Sequence, residues 1–215
     1  MEEMSAFRRA ATEAARGRQG PSTALRWSGP PAPRLVVLVE GASDRVALET
    51  LAGCRGRDLD ADGVCVLPIG GATGADRHVR VLGPEGLGIT LAGLCDEAEE
   101  RFFQRAVGRA GRRPNLDRDA MCGLGFFVCR ADLEDELIRA LGVDRVQAVL
   151  ADEGDLRRFR IFQRQPDQRG RPLHRQLRRF LGTISGRKER YARSLTAALD
   201  PQRVPPPLEA LLDRC

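Results

Sequence analysis

The sequence predicts an α/β fold: a Rossmann-type sheet of about four parallel strands flanked by helices, followed by a helical, arginine-rich C-terminal part. Between residues 35 and 142, short apolar runs alternate with amphipathic helical stretches. The runs are continuous rather than alternating, which is typical of strands that are buried on both faces. Beyond residue 142 the pattern is mostly helical.

The stretches on either side of this alternation differ from it in composition. Residues 1–16 predict a short amphipathic helix, and residues 17–34 are rich in Gly, Pro and Ser, which is typical of a flexible linker. The sequence therefore predicts three parts: an N-terminal helix and linker (1–34), an α/β core (35–142), and a helical extension that packs on the core and completes its site (143–215).

Within the core, the first strand is LVVLV at 35–39, ending at Glu40-Gly41. A helix follows, with Ser43 as its expected N-cap and Asp44 in its first turn. The remaining predicted elements are strands at 63–71, 89–96 and 125–129, helices at 97–111 and 132–142, and a loop between the second and third strands.

Composition excludes several classes of protein. The 215 residues are 42% hydrophobic and carry a net charge of +5 with a pI near 9.2, which permits a nucleic-acid partner without requiring one. No apolar run approaches a membrane span, and the N-terminus has no secretion-signal pattern, so a cytoplasmic protein without a membrane partner is expected. The six Cys form no CxxC pair, which favours small buried thiols over a zinc site. The sole lysine, Lys188, follows no P-loop glycine pattern, which excludes an ATPase of the usual kind.

Acidic residues follow two of the predicted strands. Glu40 ends the first strand and Asp96 ends the third. Because the carboxyl ends of parallel strands share one edge of a sheet, neighbouring strands would bring these carboxylates within several ångströms of each other. Like charges at that distance repel, and a divalent cation with oxygen ligands resolves the conflict. The sequence therefore favours a magnesium or manganese site over zinc.

A structural alternative exists for the other acids of the core. Asp44, Glu97 and Asp132 are each as well explained by helix capping or by favourable charge in a first helical turn. Four acids occur in five positions at 132–136, and most of them are expected to face solvent, with one pointing at the site.

Three motifs carry a resemblance to a known family. VEGASD at 39–44, LCDEAEE at 94–100 and RKERYA at 187–192 resemble the Toprim domain of the OLD (overcoming lysogenization defect) nucleases. The stretch GFFVCRADLEDELIRALG also resembles that group, and the likeness covers about 35–200. It implies a stand-alone Toprim domain that lacks the family's ATPase.

The resemblance assigns roles position by position. It implies that Glu40 is a metal ligand or a general acid/base and that Lys188 is catalytic. Ala98 stands where the family has the second Asp of a DxD motif, so Glu99 or Glu100 is expected to substitute, which favours one tightly held ion over two. The implied ligands of Mg²⁺ or Mn²⁺ are Glu40, Asp44, Asp96, Glu100 and Glu134.

The basic residues of the C-terminal part supply the remaining candidates. Lys188 is a compact charge suited to a phosphoryl transition state, although a chance substitution on a helix face is the alternative. Tyr191, one turn away, is interpreted as core packing. The expected track for a nucleic-acid backbone comprises Arg175, Arg178, Arg179 and Arg187.

The predicted function is metal-dependent hydrolysis of phosphodiester bonds by a DNA endonuclease, with DNA favoured over RNA and a separately encoded ATPase as a further partner. The first alternative is a non-catalytic Toprim module that binds metal and nucleic acid or a partner ATPase. The second is an RNA-maturation nuclease. A plain α/β fold with incidental acids at its strand ends is the third.

Overall fold

The structure is a computed structural model that describes residues 2–17, 29, 31–111, 113, 116–182 and 187–215. Most of the predicted flexible linker at 17–34 lies outside the described residues. The strands are β1 (Leu35–Val39), β2 (Val64–Pro68), β3 (Thr90–Asp96) and β4 (Phe126–Cys129). The helices are α1 (Glu2–Arg16), α2 (Ala42–Cys54), α3 (Ala75–Leu82), α4 (Glu100–Ala110), α5 (Arg118–Gly123), α6 (Leu133–Leu141), α7 (Val143–Asp152), α8 (Leu156–Gln163), α9 (Leu173–Gly182), α10 (Arg187–Ala197) and α11 (Pro206–Arg214).

The four strands form one parallel sheet in the order β2-β1-β3-β4, which confirms the predicted fold class. All five residues of β1 are buried, because this strand is paired on both sides and covered on both faces. Val39 at the end of β1 lies opposite Leu94 of β3, and Asp96 lies opposite Cys129 of β4. This register brings the last residues of β1, β3 and β4 to one edge of the sheet.

Two hydrophobic cores cover the two faces of the sheet. One contains Val37 and Val39 with side chains of α2 and of the helices from α6 onward. The other contains Val36 and Leu38 with side chains of α1, α3, α4 and α5. The alternation along β1 follows from the two-residue repeat of a strand, which sends successive side chains to opposite faces. The C-terminal helices thus pack against the core, on the same face as α2.

Two local predictions were wrong. The segment between β2 and β3 is not simply a loop: it contains a 3-10 turn and helix α3, whose apolar side chains pack against the sheet. Ser43 is not the N-cap of α2, because the helix already begins at Ala42 and Gly41 is its N-cap residue. Within the described ranges, no helix is long and apolar enough to cross a membrane.

Candidate metal and phosphodiester site

The site is built on the carboxyl edge of the sheet, where β1 and β3 are neighbours. Glu40 Oε1 accepts a 2.7 Å hydrogen bond from the backbone N–H of Asp96. This contact fixes the Glu40 carboxylate at the end of β3 and beside the Asp96 side chain. The two acids that the sequence places at strand ends therefore lie together in the folded chain.

Asp44 joins these residues from the first turn of α2. Its Oδ2 accepts a 2.8 Å hydrogen bond from the backbone N–H of Gly41. The bond tethers the carboxylate to the turn that follows Glu40 and stabilises the start of α2. Asp44 thus has the capping role that the alternative interpretation gave it, and it also lies beside the site.

The three carboxyl groups affect one another electrostatically. Burial, opposed by the Gly41 hydrogen bond and reinforced by repulsion from Glu134 and Glu40, raises the pKa of Asp44 to about 7. Burial and repulsion from Glu40 and Asp44 raise the pKa of Asp96 to about 8. The pKa of Glu40 is raised as well, mainly by burial. Burial and mutual repulsion make ionisation of these half-buried acids unfavourable, and a bound cation would offset that cost.

A sharp turn brings further acids to the same edge after β4. Ala131 adopts the left-handed conformation with φ 63, which is uncommon for a residue other than glycine. Asp132 follows as the N-cap of α6 and accepts a 2.8 Å hydrogen bond from the backbone N–H of Asp135. Asp132 and Glu134 both raise the pKa of Asp96, so both carboxylates face the strand-end acids.

The cluster at 132–136 is not mostly exposed to solvent, contrary to the prediction. Glu136 is buried and accepts a 2.7 Å hydrogen bond from the backbone N–H of Arg130. Asp135 is 2.5 Å from His174 Nε2 and pairs with Arg139 at 2.7 Å. Arg130 and Arg139 are close in sequence, whereas His174 reaches Asp135 because α9 packs beside α6, which a linear pattern does not reveal.

Lys188 lies in the first turn of α10, and its Nζ is 3.4 Å from Glu134 Oε1. A small crevice beside it is lined by Ser43, Glu134, Lys188 and Tyr191, together with apolar side chains. Burial lowers the pKa of Lys188, but Glu134, Asp132 and Asp44 outweigh this and raise it, so the ammonium form is held. The charge of Lys188 also lowers the pKa of Glu40. The sole lysine therefore belongs to the same electrostatic cluster as the acids.

Glu100, another predicted metal ligand, is bound by side chains of α4 and α5. Its carboxylate accepts hydrogen bonds from Gln104 and Arg118 on the outer side of α4. Glu99 lies closer to the site, because its charge is among those that raise the pKa of Glu40. The 3-10 turn at Glu97–Glu99 redirects the chain after β3, and spacing from Asp96 does not predict this redirection.

The four predicted arginines divide into two pairs. Arg175 and Arg179 are exposed on α9. Arg178 instead donates a 2.7 Å hydrogen bond to Asp132, and Arg187 lies 3.8 Å from Asp155 with its side chain only 20% exposed. Arg178 and Arg187 thus have acidic partners within the fold, and the contact of all four guanidinium groups with a nucleic-acid backbone stays a prediction.

The donor set fits a hard divalent cation. Glu40, Asp44 and Asp96 offer oxygen atoms alone, and burial together with repulsion between them raises their pKa values, which a bound cation would counteract. Among the described residues, no three acidic, histidine or cysteine side chains are already gathered closely enough to hold an ion. Binding would therefore require rotamer changes that draw the carboxylates together.

Residues 34–97 match the family model described as "Overcoming lysogenization defect protein-like, TOPRIM domain". This match, together with the parallel sheet and the strand-end acids, makes this part of the chain similar to Toprim domains, a class that generally binds divalent metals. The likeness over these residues is to the OLD-like type of Toprim domain, the type that the motifs resemble. The comparison with curated proteins found no match.

Solved structures resemble most of the chain. The C-terminal region of the OLD protein of Xanthomonas campestris pv. campestris is 26% identical, with a TM-score of 0.62 over 84% of this chain and 93% of that one. The C-terminal region of the Burkholderia pseudomallei OLD protein is 21% identical, with a TM-score of 0.61 over 85% and 96% of the two chains. At that lower identity, the likeness shows the fold alone. Both likenesses extend well beyond residue 97, so they include helices of the C-terminal part.

Three residues of this region are absent from the predicted set of site residues. Glu99 was named only as an alternative to Glu100, and Asp132 was interpreted as a cap. Asp155 was not considered at all, although its carboxylate meets the helix that carries Lys188. For Asp132 a signal existed, since it is the first acid after β4. For Asp155 there was none, because its partners on α10 lie more than 30 positions away in the chain.

Proposed function

We propose that this chain is a metal-dependent nuclease that hydrolyses phosphodiester bonds in nucleic acid, with DNA as the favoured substrate. The observation that carries the proposal is the mutual electrostatic coupling of Glu40, Asp44 and Asp96 beside a single lysine. Acids with raised pKa values and a lysine held as ammonium provide both the oxygen ligands and the positive charge that phosphodiester chemistry requires. The family match supports the same class of function.

In this proposal Glu40, Asp44 and Asp96 hold Mg²⁺ or Mn²⁺, and Glu134 closes the site. When bound, such an ion polarises a phosphate and lowers the pKa of a bound water. The backbone N–H of Asp96 keeps Glu40 oriented toward the strand edge. Because Glu134 is already paired with Lys188, it is the acid that most readily exchanges between a cation and the lysine.

Lys188 would stabilise negative charge that develops on the phosphate during cleavage. Its ammonium group is a point charge on a flexible stem, which can shift from Glu134 to a non-bridging oxygen. An oriented cation of this kind typically contributes about a hundredfold or more to kcat. Arginine at the same position would keep the charge but change its geometry, so Lys188→Arg is expected to restore only part of the activity.

The nucleic acid would approach along α8 and α9, where exposed arginines are concentrated. Arg157, Arg160, Arg164, Arg171 and Arg175 are all exposed. Such a surface contacts phosphates without reading sequence, and its affinity falls as salt concentration rises. These arginines would therefore supply affinity for the nucleic-acid backbone and no sequence specificity.

The test is cleavage of supercoiled plasmid DNA by the purified chain in the presence of Mg²⁺ or Mn²⁺. Nicking is expected with either metal and is expected to disappear with a chelator. Glu40→Gln should abolish it, because a neutral amide cannot replace the carboxylate ligand. Glu85→Gln is the matched control, since Glu85 is exposed on the loop between α3 and β3.

Absence of nicking by the wild-type chain, or equal nicking by Glu40→Gln, contradicts the proposal. Cleavage of single-stranded or structured RNA in preference to DNA would keep the chemistry and correct the substrate to that of an RNA-maturation nuclease. Parallel assays with DNA and RNA of one sequence separate these outcomes.

A second candidate function is favoured by one observation. Ala98 replaces the second acid of the family's DxD motif, and Glu100 is paired with Arg118 rather than turned toward the site. A module that binds metal and nucleic acid without turnover, or that acts only with a partner ATPase, would tolerate this loss. Calorimetric Mn²⁺ binding that Asp96→Asn abolishes, without any cleavage by the wild type, would support that function instead.

A further inference from the structure

Lys188 lies in the first turn of α10, where a helix is least held by its own hydrogen bonds. The first four backbone N–H groups of a helix have no partner within it, so tertiary contacts decide how the first turn is placed. The placement of Lys188 therefore depends on what anchors Arg187, Arg190 and Tyr191, the residues around it on α10.

One buried carboxylate meets all three of these residues. Asp155 Oδ2 accepts a 2.6 Å hydrogen bond from the Tyr191 hydroxyl and another from Arg190. Its Oδ1 accepts a 2.8 Å hydrogen bond from Arg158 and lies 3.8 Å from Arg187. The Asp155 side chain is 1% exposed, so the carboxylate is removed from water.

The ordinary structural role of an acid at this position does not account for the arrangement. Asp155 is the N-cap residue of α8, but its side chain makes no capping hydrogen bond. The carboxylate is directed to α10 instead. Burial opposes its ionisation, yet the hydrogen bonds from Tyr191 and Arg158 outweigh burial and lower the pKa of Asp155 to about 2.

The contacts also define how α10 is rotated about its axis. Residues 187, 190 and 191 share one side of a helix, because they are three and four positions apart. Lys188 lies about a hundred degrees round the axis from its neighbour Arg187 and reaches Glu134 and the crevice beside Ser43. Holding Arg187, Arg190 and Tyr191 toward Asp155 therefore fixes the rotation of α10 that places Lys188 beside Glu134.

We propose that Asp155 is a positioning residue for Lys188: by binding Arg187, Arg190 and Tyr191, it fixes the first turn of α10 so that the ammonium group faces the strand-end acids. This inference rests on the proposed nuclease function for its catalytic consequence. The geometric part, that Asp155 places Lys188, stands without it.

The kinetic test compares Asp155→Asn with Asp152→Asn, a matched change at an exposed position three residues earlier. We expect Asp155→Asn to lower kcat for plasmid nicking about tenfold or more, with KM for DNA changed less than about twofold. In a Lys188→Ala background, the same substitution should cause no further loss, because Asp155 acts through Lys188. A full additional loss in that background would overturn the proposal.

The structural test uses the fact that the chain has a single lysine. Reductive ¹³C-methylation gives one lysine resonance besides that of the N-terminal amine. We expect a shifted resonance in the wild type that moves toward the free dimethyl-lysine position in Asp155→Asn, while Asp152→Asn leaves it unchanged. Tyr191→Phe, which removes one hydrogen bond and keeps the ring, should move it in the same direction by a smaller amount.

The outcomes are distinguishable. A wild type without nuclease activity refutes the proposed function, whereas the lysine resonance still tests the positioning. An unchanged resonance in both Asp155→Asn and Tyr191→Phe overturns the positioning even if the chain is a nuclease. If Asp155→Asn does not fold, the Tyr191→Phe resonance and its kcat decide the question alone.

Discussion

The acids at the sheet edge and the buried acid Asp155 have opposite electrostatic surroundings. At the carboxyl edge of the sheet, Asp96 is surrounded by other carboxylates, and repulsion together with burial raises its pKa to about 8. Between α7 and α8, Asp155 is surrounded by three arginines and a tyrosine, which lower its pKa to about 2. The same residue type thus differs by several pKa units within one domain.

The contrast shows what each region is suited to do. The charge of Asp155 is compensated within the fold, so that residue can only organise its neighbours. Asp96 is surrounded by other carboxylates, so an external cation would stabilise the cluster around it. Removing the charge should therefore have opposite effects on stability in the two regions, and the following predictions use that difference.

The largest expected effect is on activity. Asp96→Asn should reduce plasmid nicking about a thousandfold, because the loss of a metal ligand removes several kcal/mol of transition-state stabilisation. In metal-free buffer at pH 8, the same variant should be more stable than the wild type, because a repulsive charge is lost. Nicking rates and urea unfolding measure the two effects. A less stable Asp96→Asn would contradict the electrostatic account.

Asp155→Asn should have the opposite effect on stability. We expect the free energy of unfolding to fall by about 3 kcal/mol, since three arginines lose a buried partner. Urea unfolding at pH 7 measures this change, with Asp152→Asn expected within about 0.5 kcal/mol of the wild type. A loss as small as that of the control would show that the buried network does not stabilise the fold.

The pH dependence of stability should follow the cluster acids. Because their pKa values are raised in the folded state, that state binds more protons than the unfolded chain between about pH 4 and pH 8. The free energy of unfolding in metal-free buffer should therefore fall as pH rises from 5 to 8, by about 1.4 kcal/mol per pH unit for each extra proton that the folded state binds. Asp155 contributes in the opposite sense and only at low pH: its stabilisation is lost as pH falls from about 4 through its folded pKa of about 2.

Unfolding curves at several pH values measure this slope. Asp96→Asn should flatten it, and Mg²⁺ should offset it at pH 8, because a bound cation favours the ionised carboxylates. A stability that rises between pH 5 and pH 8 without metal would refute the raised pKa values.

The smallest expected effect concerns nucleic-acid affinity. Arg175→Ala should weaken DNA binding similarly for all sequences and reduce the salt slope by about one, as expected for the loss of one phosphate contact. Arg203→Ala, at an exposed position between α10 and α11, is the matched control. Binding isotherms at several salt concentrations measure both. Equal slopes for the two variants would exclude Arg175 from the binding track.

The pattern of the chain was sufficient for the sheet and for two acids of the site. Continuous apolar runs ending in Glu40 and Asp96 predict parallel strands with carboxylates at one edge, and the observed pairing of β1 with β3 makes those strands neighbours. Helix α3 was missed, because the glycine-rich stretch before it and the glycines after it are typical of loops. Tyr191 was correctly interpreted as a core residue, and it is 2% exposed.

The sequence by itself determined which runs form buried strands, where these strands end, and which acids follow them. These properties depend on residue type and on the length of continuous apolar runs, both of which are local. Only the tertiary structure decided the partners of each charge. Lys188 meets Glu134, Arg178 meets Asp132, and α10 meets Asp155 because helices distant in the chain pack on one face of the sheet. Whether a carboxylate is paired with a positively charged side chain or surrounded by other acids depends on its neighbours in space. A linear pattern does not contain those neighbours.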